Sequence, residues 1–390
     1  MRILVLVPSI DLSMTSIGMT PVWWQLLKAL HEIGNEISVI PYFTRGTQTL
    51  WWKCYEQPSG FMISSYRVLE SLITTLSFSR DVYEFRSRNQ KILLWGIRKL
   101  LYPKLKNYVQ RVLSDEKGFD IFLVLSVPLN HIKGLARDVK QMYGIPAIYY
   151  DGDAPFSLPR YGGLSHSFYV GGDISEYDAV FVTSKGVVDD IKEMGAEKVF
   201  PIAEGADPGV FSPIELSKSI DVFFFGIGEK FREDAIRQLI SIPSDKLQER
   251  KFAVGGRMKY KTYGHALNLG MVPYRHYSCA SKINLNIFRT PMTEVYCSSS
   301  ARLFELASMA CCIVSNPAKG LEEWFEINKE VFVASDSEEA IELYTWLLSS
   351  EDVRFNAGRR ARERVIKEHT YKHRAEYMIN VLKQLVRKGG

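Results

Sequence analysis

The chain has 390 residues, 46% of them hydrophobic and 24% charged, with a formal net charge of +5. That length exceeds one ordinary domain and suits two of about 150–200 residues each, and the composition excludes a disordered chain. So small a net charge makes no demand for a polyanionic partner, and no nucleic acid is expected as one.

Ile3 to Val7 is an apolar run ended by Pro8, which reads as a strand buried on both faces of a parallel sheet. A Ser-, Thr- and Gly-containing loop follows to Thr20, with Ser16 and Gly18 at a strand's carboxyl end. There they either help shape an acceptor site or belong to a flexible connection. Pro21 opens a helix carrying Val22, Leu26, Leu27, Leu30 and Ile33 at helical spacing, closed by Gly34. Ile37 to Ile40 returns as a strand, completing a right-handed βαβ unit.

Residues 50–111 break this pattern with a basic helical insertion. Between Arg80 and Arg111 nine Lys or Arg face only Asp81 and Glu84, so the segment carries 9 − 2 = +7 and the rest of the chain is slightly acidic. Basic helices with aromatic and leucine faces can lie on an anionic membrane surface; the alternative is a solvated helical cap on the first lobe.

The strand grammar then resumes. Asp120 to Leu125 is a strand, Ile132 to Met142 a helix, and Pro146 to Tyr150 a strand ending on Asp151-Gly152-Asp153. Ala179 to Val182 and Lys198 to Ile202 supply two more strands. Asp151 and Asp153 are candidate catalytic or acceptor-binding carboxylates, with plain turn chemistry as the alternative. Paired carboxylates also suit a divalent cation.

A Gly- and Pro-rich stretch from Glu204 to Pro213 marks the boundary between a first lobe of residues 1–205 and a second of 206–370. Residues 371–390 form a terminal helix. In the second lobe Ile220 to Phe225 is a strand ending in Gly226-Ile227-Gly228, with Arg232 just beyond. Two glycines do not complete a dinucleotide fingerprint, so a phosphate loop and an ordinary strand-to-helix turn both remain open. Phe252 to Val254 leads to Arg257, a second basic candidate. Ile283 to Asn286 and Cys311 to Val314 are later strands, and a helix starts near Ser299 or Ser300. Such a start offers free N–H groups to a diphosphate. Arg302 adds a bidentate donor, and Glu305, three residues on, shares its face and can accept from ribose hydroxyls. A surface Arg–Glu pair is the competing reading.

The five cysteines show no C-x-x-C pair, which fits a reducing compartment. The first residues lack the form of a signal peptide, and no apolar run is long enough to span a membrane. The expectation is a cytoplasmic protein, at most peripheral at the inner membrane face.

The stretches Lys282 to Ile287, Ser300-Ala-Arg302-Leu-Phe-Glu305, Cys312 to Asn316 and Gly320 to Glu326 resemble the C-terminal donor lobe of group 1 glycosyltransferases. The CgeB spore-maturation branch is nearest, and Glu204 to Pro213 and His369-Thr370-Tyr371 are similar to it. The resemblance covers about residues 200–385 and implies an α/β chain of GT-B type: two tandem doubly wound, Rossmann-like lobes with an interdomain cleft. The fold that the chain resembles packs a terminal helix such as residues 371–390 back on the first lobe. It also implies a nucleoside diphosphate sugar as donor and a glycan, lipid-linked or protein acceptor, with no cofactor and no obligate metal. In family 4 relatives a Glu-x7-Glu motif uses its second Glu for the nucleotide ribose, and Glu305 matches it. The first falls at Cys297, a departure that Glu294 could offset. Ser299, Ser300 and Ala301 match the amides facing the phosphates, and Arg232 the basic residue that neutralises the leaving diphosphate, with Gly226, Gly228, Arg257 and Asn286 around them. A nucleotide-sugar epimerase on the same fold and a non-catalytic bilobed binding protein are the rival readings.

Overall fold

The structure, a computed structural model, describes residues 1–10, 22–44, 46–55, 88–161, 168–228, 230–258 and 263–389. The chain divides into two compact units, made of the described parts of Met1–Asp11, Leu26–Ile202 and Ala375–Gly390 and of Leu12–Gln25 and Ala203–Arg374.

The first unit holds a seven-stranded sheet: β1 (Arg2–Val7), β2 (Glu36–Pro41), β3 (Lys53–Cys54), β4 (Ile121–Leu125), β5 (Ala147–Asp151), β6 (Ala179–Val182) and β7 (Val199–Pro201). Their order is β3-β2-β1-β4-β5-β6-β7, and every pairing is parallel. The continuous apolar runs of β1, β4 and β6 are fully buried, as a sheet covered by helices on both faces requires. The expected helix from Ile132 is interrupted. Leu129–Ile132 forms one short turn, Gly134 takes φ +95° and only Leu135–Tyr143 continues. A left-handed residue cannot extend a right-handed helix.

The second unit holds β8 (Ile220–Gly228), β9 (Phe252–Met258), β10 (Leu267–Asn268), β11 (Ser281–Asn286), β12 (Ile313–Ser315) and β13 (Phe332–Val333), ordered β10-β9-β8-β11-β12-β13 and also parallel. Cys311 and Cys312 precede β12 rather than open it. Ala310 adopts φ +55° in the turn out of the preceding helix, so pairing starts only at Ile313. Phe223, Phe225, Leu303, Phe304 and Ile313 fill one face of this sheet, and Val222, Phe224, Ile283, Leu285 and Tyr344 the other.

Each strand order reverses once, between β1 and β4 and between β8 and β11. Open parallel sheets bind ligands outside strand carboxyl ends at such a reversal. In the second unit that point falls at Gly226-Ile227-Gly228 and Asn286. Ser16, Gly18, Arg80 and Arg86 lie outside the described residues.

Candidate functional site

The site is built around the helix Ala301–Ser308, which precedes β12 and is joined to β11 by a connection that holds the short helix Thr290–Glu294. Its inner face, Leu303, Phe304, Leu306 and Ala307, is buried in the core, which fixes where its first turn points. Ser300 stands at the N-cap in extended conformation, yet its side chain caps nothing. Its hydroxyl instead donates to Asn286 Oδ1 at 3.2 Å, and Asn286 Nδ2 donates to Ser315 Oγ at 3.0 Å. Asn286 is 1% exposed and both its amide atoms are committed, so its part is to hold Ser300 at the end of the sheet. The helix thus begins with backbone N–H groups that no side chain of its own cap satisfies.

Arg302 is the second residue of the helix. Its guanidinium sits 4.8 Å from the centre of the Tyr274 ring and 5.3 Å from that of Phe225, against a pair of rings whose own centres are 4.9 Å apart. Its buried Nη1 has no hydrogen-bond partner. A buried donor left unpaired costs about 1–3 kcal/mol, a cost removed when an acceptor arrives.

Glu305 is 6% exposed, which overturns the surface-pair alternative. Gln25 Nε2 donates to Glu305 Oε1 at 3.4 Å, and Gln25 Oε1 accepts from Asp207 N at 2.8 Å. Burial raises the Glu305 pKa above the ordinary glutamate range, opposed first by Arg302 and then by Gln25 and the Tyr274 hydroxyl. Beside the helix start, Ser299 Oγ accepts from Glu204 N at 2.8 Å. The Tyr371 hydroxyl donates to Glu204 Oε2. Ser299 is 4% exposed and so anchors the Glu204 segment, while Ala301 is half-buried at the helix start.

The strand ends on the other side of the reversal are tightly drawn. Arg232 Nε donates to Ile287 O at 2.8 Å and Nη1 to Ile227 O at 3.3 Å, so this residue stitches the ends of β8 and β11. Gly256 takes φ +100°, and a Cβ there would stand 2.1 Å from Gly226 O. Backbone proximity between β8 and β9 therefore accounts for that glycine. Gly228 is buried, and Arg257 is exposed at the end of β9.

Cys297, where the first Glu of the resembled motif would fall, takes φ +51° and is 2% exposed. Its N–H donates to Lys319 O at 2.8 Å, and its thiol donates to Gly320 O at 3.6 Å. A Cβ on Gly320 would approach Cys297 Sγ to 2.6 Å, so the two positions admit only small groups together. Glu294 is different: it is exposed, and its carboxylate pairs with Lys319 Nζ at 3.3 Å. Both border a cavity of about 520 Å³ at the carboxyl ends of the sheet, with Asp234, Gln238, Thr290 and Asn316. That volume suits a small organic ligand. Arg302 and Glu305 are not among its lining residues.

In the first unit Asp151 is fully buried. Its carboxylate accepts from Ser157 Oγ, from Tyr169 Oη at 2.7 Å and from Asp153 N at 2.9 Å. Burial lifts its pKa to about 6, against these donors. Asp153 is half-buried in the turn that follows. The structure thus gives Asp151 a closed local network, and leaves Asp153 the more accessible of the two.

Sequence reasoning missed Phe225 and Tyr274, which hold Arg302, and Gln25, which meets Glu305. None carries a local signal, because each is set against the helix by the fold and Gln25 lies 280 residues away in sequence. Lys319 was equally silent, since its pairing with Glu294 depends on the course of two loops.

A family model described as glycosyl transferase-like matches residues 232–380, most of the second unit, and the chain carries a glycosyltransferase-like domain there. No curated protein matches the sequence. Among solved structures, a sucrose-phosphate synthase from Thermosynechococcus elongatus is similar over 100% of both chains, at 12% identity and a TM-score of 0.67. The trehalose-6-phosphate synthase OtsA is similar over 98% of this chain and 99% of its own, at 10% identity and a TM-score of 0.66. Anabaena HepE in complex with UDP-glucose is similar over 98% and 99%, at 11% identity and a TM-score of 0.62. The fold is therefore GT-B: two Rossmann-like parallel-sheet α/β units in one chain.

Proposed function

We propose that the protein is a glycosyltransferase that moves a sugar from a nucleoside diphosphate sugar to an acceptor hydroxyl without a metal ion. The observation that carries this reading is Arg302. It is packed against Phe225 and Tyr274 with a buried donor unfilled, on the first turn of a helix whose cap side chain is engaged elsewhere. Such an arrangement suits the diphosphate of a donor. The helix start and the guanidinium would stabilise the charge that develops on the departing nucleoside diphosphate as the sugar–oxygen bond breaks. Glu305 would accept from the ribose hydroxyls, exchanging its contact with Gln25 for theirs. Arg232, already bound to two carbonyls at the strand reversal, would shape the phosphate loop rather than move. The UDP-glucose held by HepE makes UDP-sugars the first donors to test.

The test is a thermal-shift screen of UDP-, GDP-, ADP- and dTDP-sugars on the wild type and on Glu305→Ala. A ligand at about a hundred times its dissociation constant stabilises by about 2.7 kcal/mol, a shift of several degrees. The expected result is a shift with one nucleotide that the variant loses. A shift that Glu305→Ala leaves intact overturns the ribose assignment, and no shift with any nucleotide sugar overturns the transferase reading.

A further inference from the structure

The basic segment ahead of β4 presents one face that the unit's own core does not use. Arg88–Gly96 is helical, Ile97–Leu101 forms a π turn, and Tyr102–Asp115 continues as α-helix. The inner face is Ile97, Leu101 and Leu105, all buried. The outer face carries Ile92 at 51% exposure, Trp95 at 64% and Leu100 at 56%, three large apolar side chains in solvent. Leu100 lies in the π turn, five residues beyond Trp95, and both side chains stay exposed while Ile97 and Leu101 turn inward. Around them stand Lys91, Arg98 and Lys99, all outside any ion pair among the described residues. From Arg88 to Arg111 the sequence has seven Lys or Arg and no Asp or Glu, while the remainder of the chain nets 5 − 7 = −2.

We propose that this face docks the first unit onto an anionic lipid surface, with Trp95, Ile92 and Leu100 entering the interface between headgroups and acyl chains. A tryptophan belongs at that depth because its ring is apolar and its N–H polar. The flanking lysines and arginine reach back to lipid phosphates along their aliphatic stems. Among the described residues no helix is long and apolar enough to cross a membrane, so the contact is one of lying on the surface. Charge complementarity selects the occupant: the cations surround the apolar side chains, an arrangement that a second copy, bringing the same cations, would oppose.

The experiment is sedimentation of the full chain with vesicles of phosphatidylcholine alone or with about one third phosphatidylglycerol, at about 0.1 and about 0.5 M salt. Binding is expected to the anionic vesicles only and to fall at least about tenfold at the higher salt. Lys91→Gln and Lys99→Gln should each weaken it about fivefold. Trp95→Ser should weaken it at either salt, with the circular-dichroism melt unchanged because the side chain is exposed. Equal binding to uncharged vesicles, binding indifferent to Trp95→Ser, or no binding overturns the proposal. So does a concentration-dependent rise in mass without lipid that Trp95→Ser abolishes, which would make the face a contact between copies. Nucleotide-sugar thermal shifts of these variants stay at the wild-type value whatever the vesicle result, since the proposal does not depend on the donor site.

Discussion

Two acidic side chains stand beyond the carboxyl ends of parallel strands, one in each unit, and their surroundings are opposite. Asp151 ends β5 and is enclosed by donors from its own neighbourhood: the Asp153 amide, Ser157 and Tyr169, all within eighteen residues. Glu305 rides a helix between β11 and β12, and its hydrogen-bond partner is Gln25, 280 residues distant and at a long 3.4 Å. Beside it Arg302 keeps a buried donor unfilled. A carboxylate whose acceptor sites are filled locally closes a turn. One reached at 3.4 Å by a donor from far along the chain, next to an unsatisfied guanidinium, is prepared for a ligand.

The largest way to test that contrast is Asp151→Ala. It strands two buried hydroxyls and an amide, and removing one partner of a buried network costs about 3–5 kcal/mol. For a unit of this size the melting temperature should fall by about ten degrees, while any nucleotide-sugar thermal shift keeps its wild-type size. A variant that melts like the wild type but loses a catalytic rate would reverse the assignment and make Asp151 the reacting group.

Asp151→Asn sharpens the same point through pH. Burial lifts the folded-state pKa from 3.8 to about 6, so the folded chain holds this proton more tightly than the unfolded one. The stability it contributes is fully present below about pH 4 and is lost as pH rises through about 6. Asparagine does not titrate. Between pH 4 and 7.5 the wild type should lose about 2 kcal/mol relative to the variant in paired denaturant melts. A stability difference independent of pH would mean that the carboxyl is already ionised in the fold.

On the other side of the comparison, Arg302→Met keeps an unbranched side chain against Phe225 and Tyr274 but removes the charge. A charge-assisted hydrogen bond contributes about 1.5–3 kcal/mol, so donor affinity should fall about tenfold to a hundredfold. Without ligand the variant should be as stable as the wild type or slightly more so, because the unpaired buried donor is gone. Loss of stability with unchanged donor affinity would show that Arg302 serves packing alone.

The sequence was informative where the pattern is local and uninformative where the fold supplies the partner. Runs such as Ile3–Val7 and Ile220–Phe225 must bury both faces, so strands and the two-unit α/β class follow from composition along the chain. The interval from Ser300 to Glu305 places a helix start, an arginine and a glutamate on one turn, and the structure keeps them there. Short edge strands such as β10 and β13, two residues each, carry too little pattern to be seen. The helix break at Gly134 depends on a positive φ that glycine permits without announcing. Cys297 shows the limit most clearly. Alignment to a motif marks it as a departure, but only the approach of Gly320 explains why a small side chain stands there.

The smallest expected effect belongs to Glu294. Its pairing with Lys319 joins two exposed side chains, so Glu294→Gln should change stability by no more than about 0.5 kcal/mol. Its place at the 520 Å³ cavity is the reason to measure it against Glu305. If the cavity receives the sugar, Glu294→Gln lowers turnover while nucleotide binding holds, because Arg302 and Glu305, proposed above for the phosphates and ribose, do not line that cavity. If the cavity plays no part in the donor site, both parameters stay at the wild-type value. Glu305→Ala then remains the more damaging of the two changes, and the offset for Cys297 must come from elsewhere in the loop. The two variants together therefore separate sugar from nucleotide, a division that Arg302 alone, proposed for the diphosphate between them, would blur.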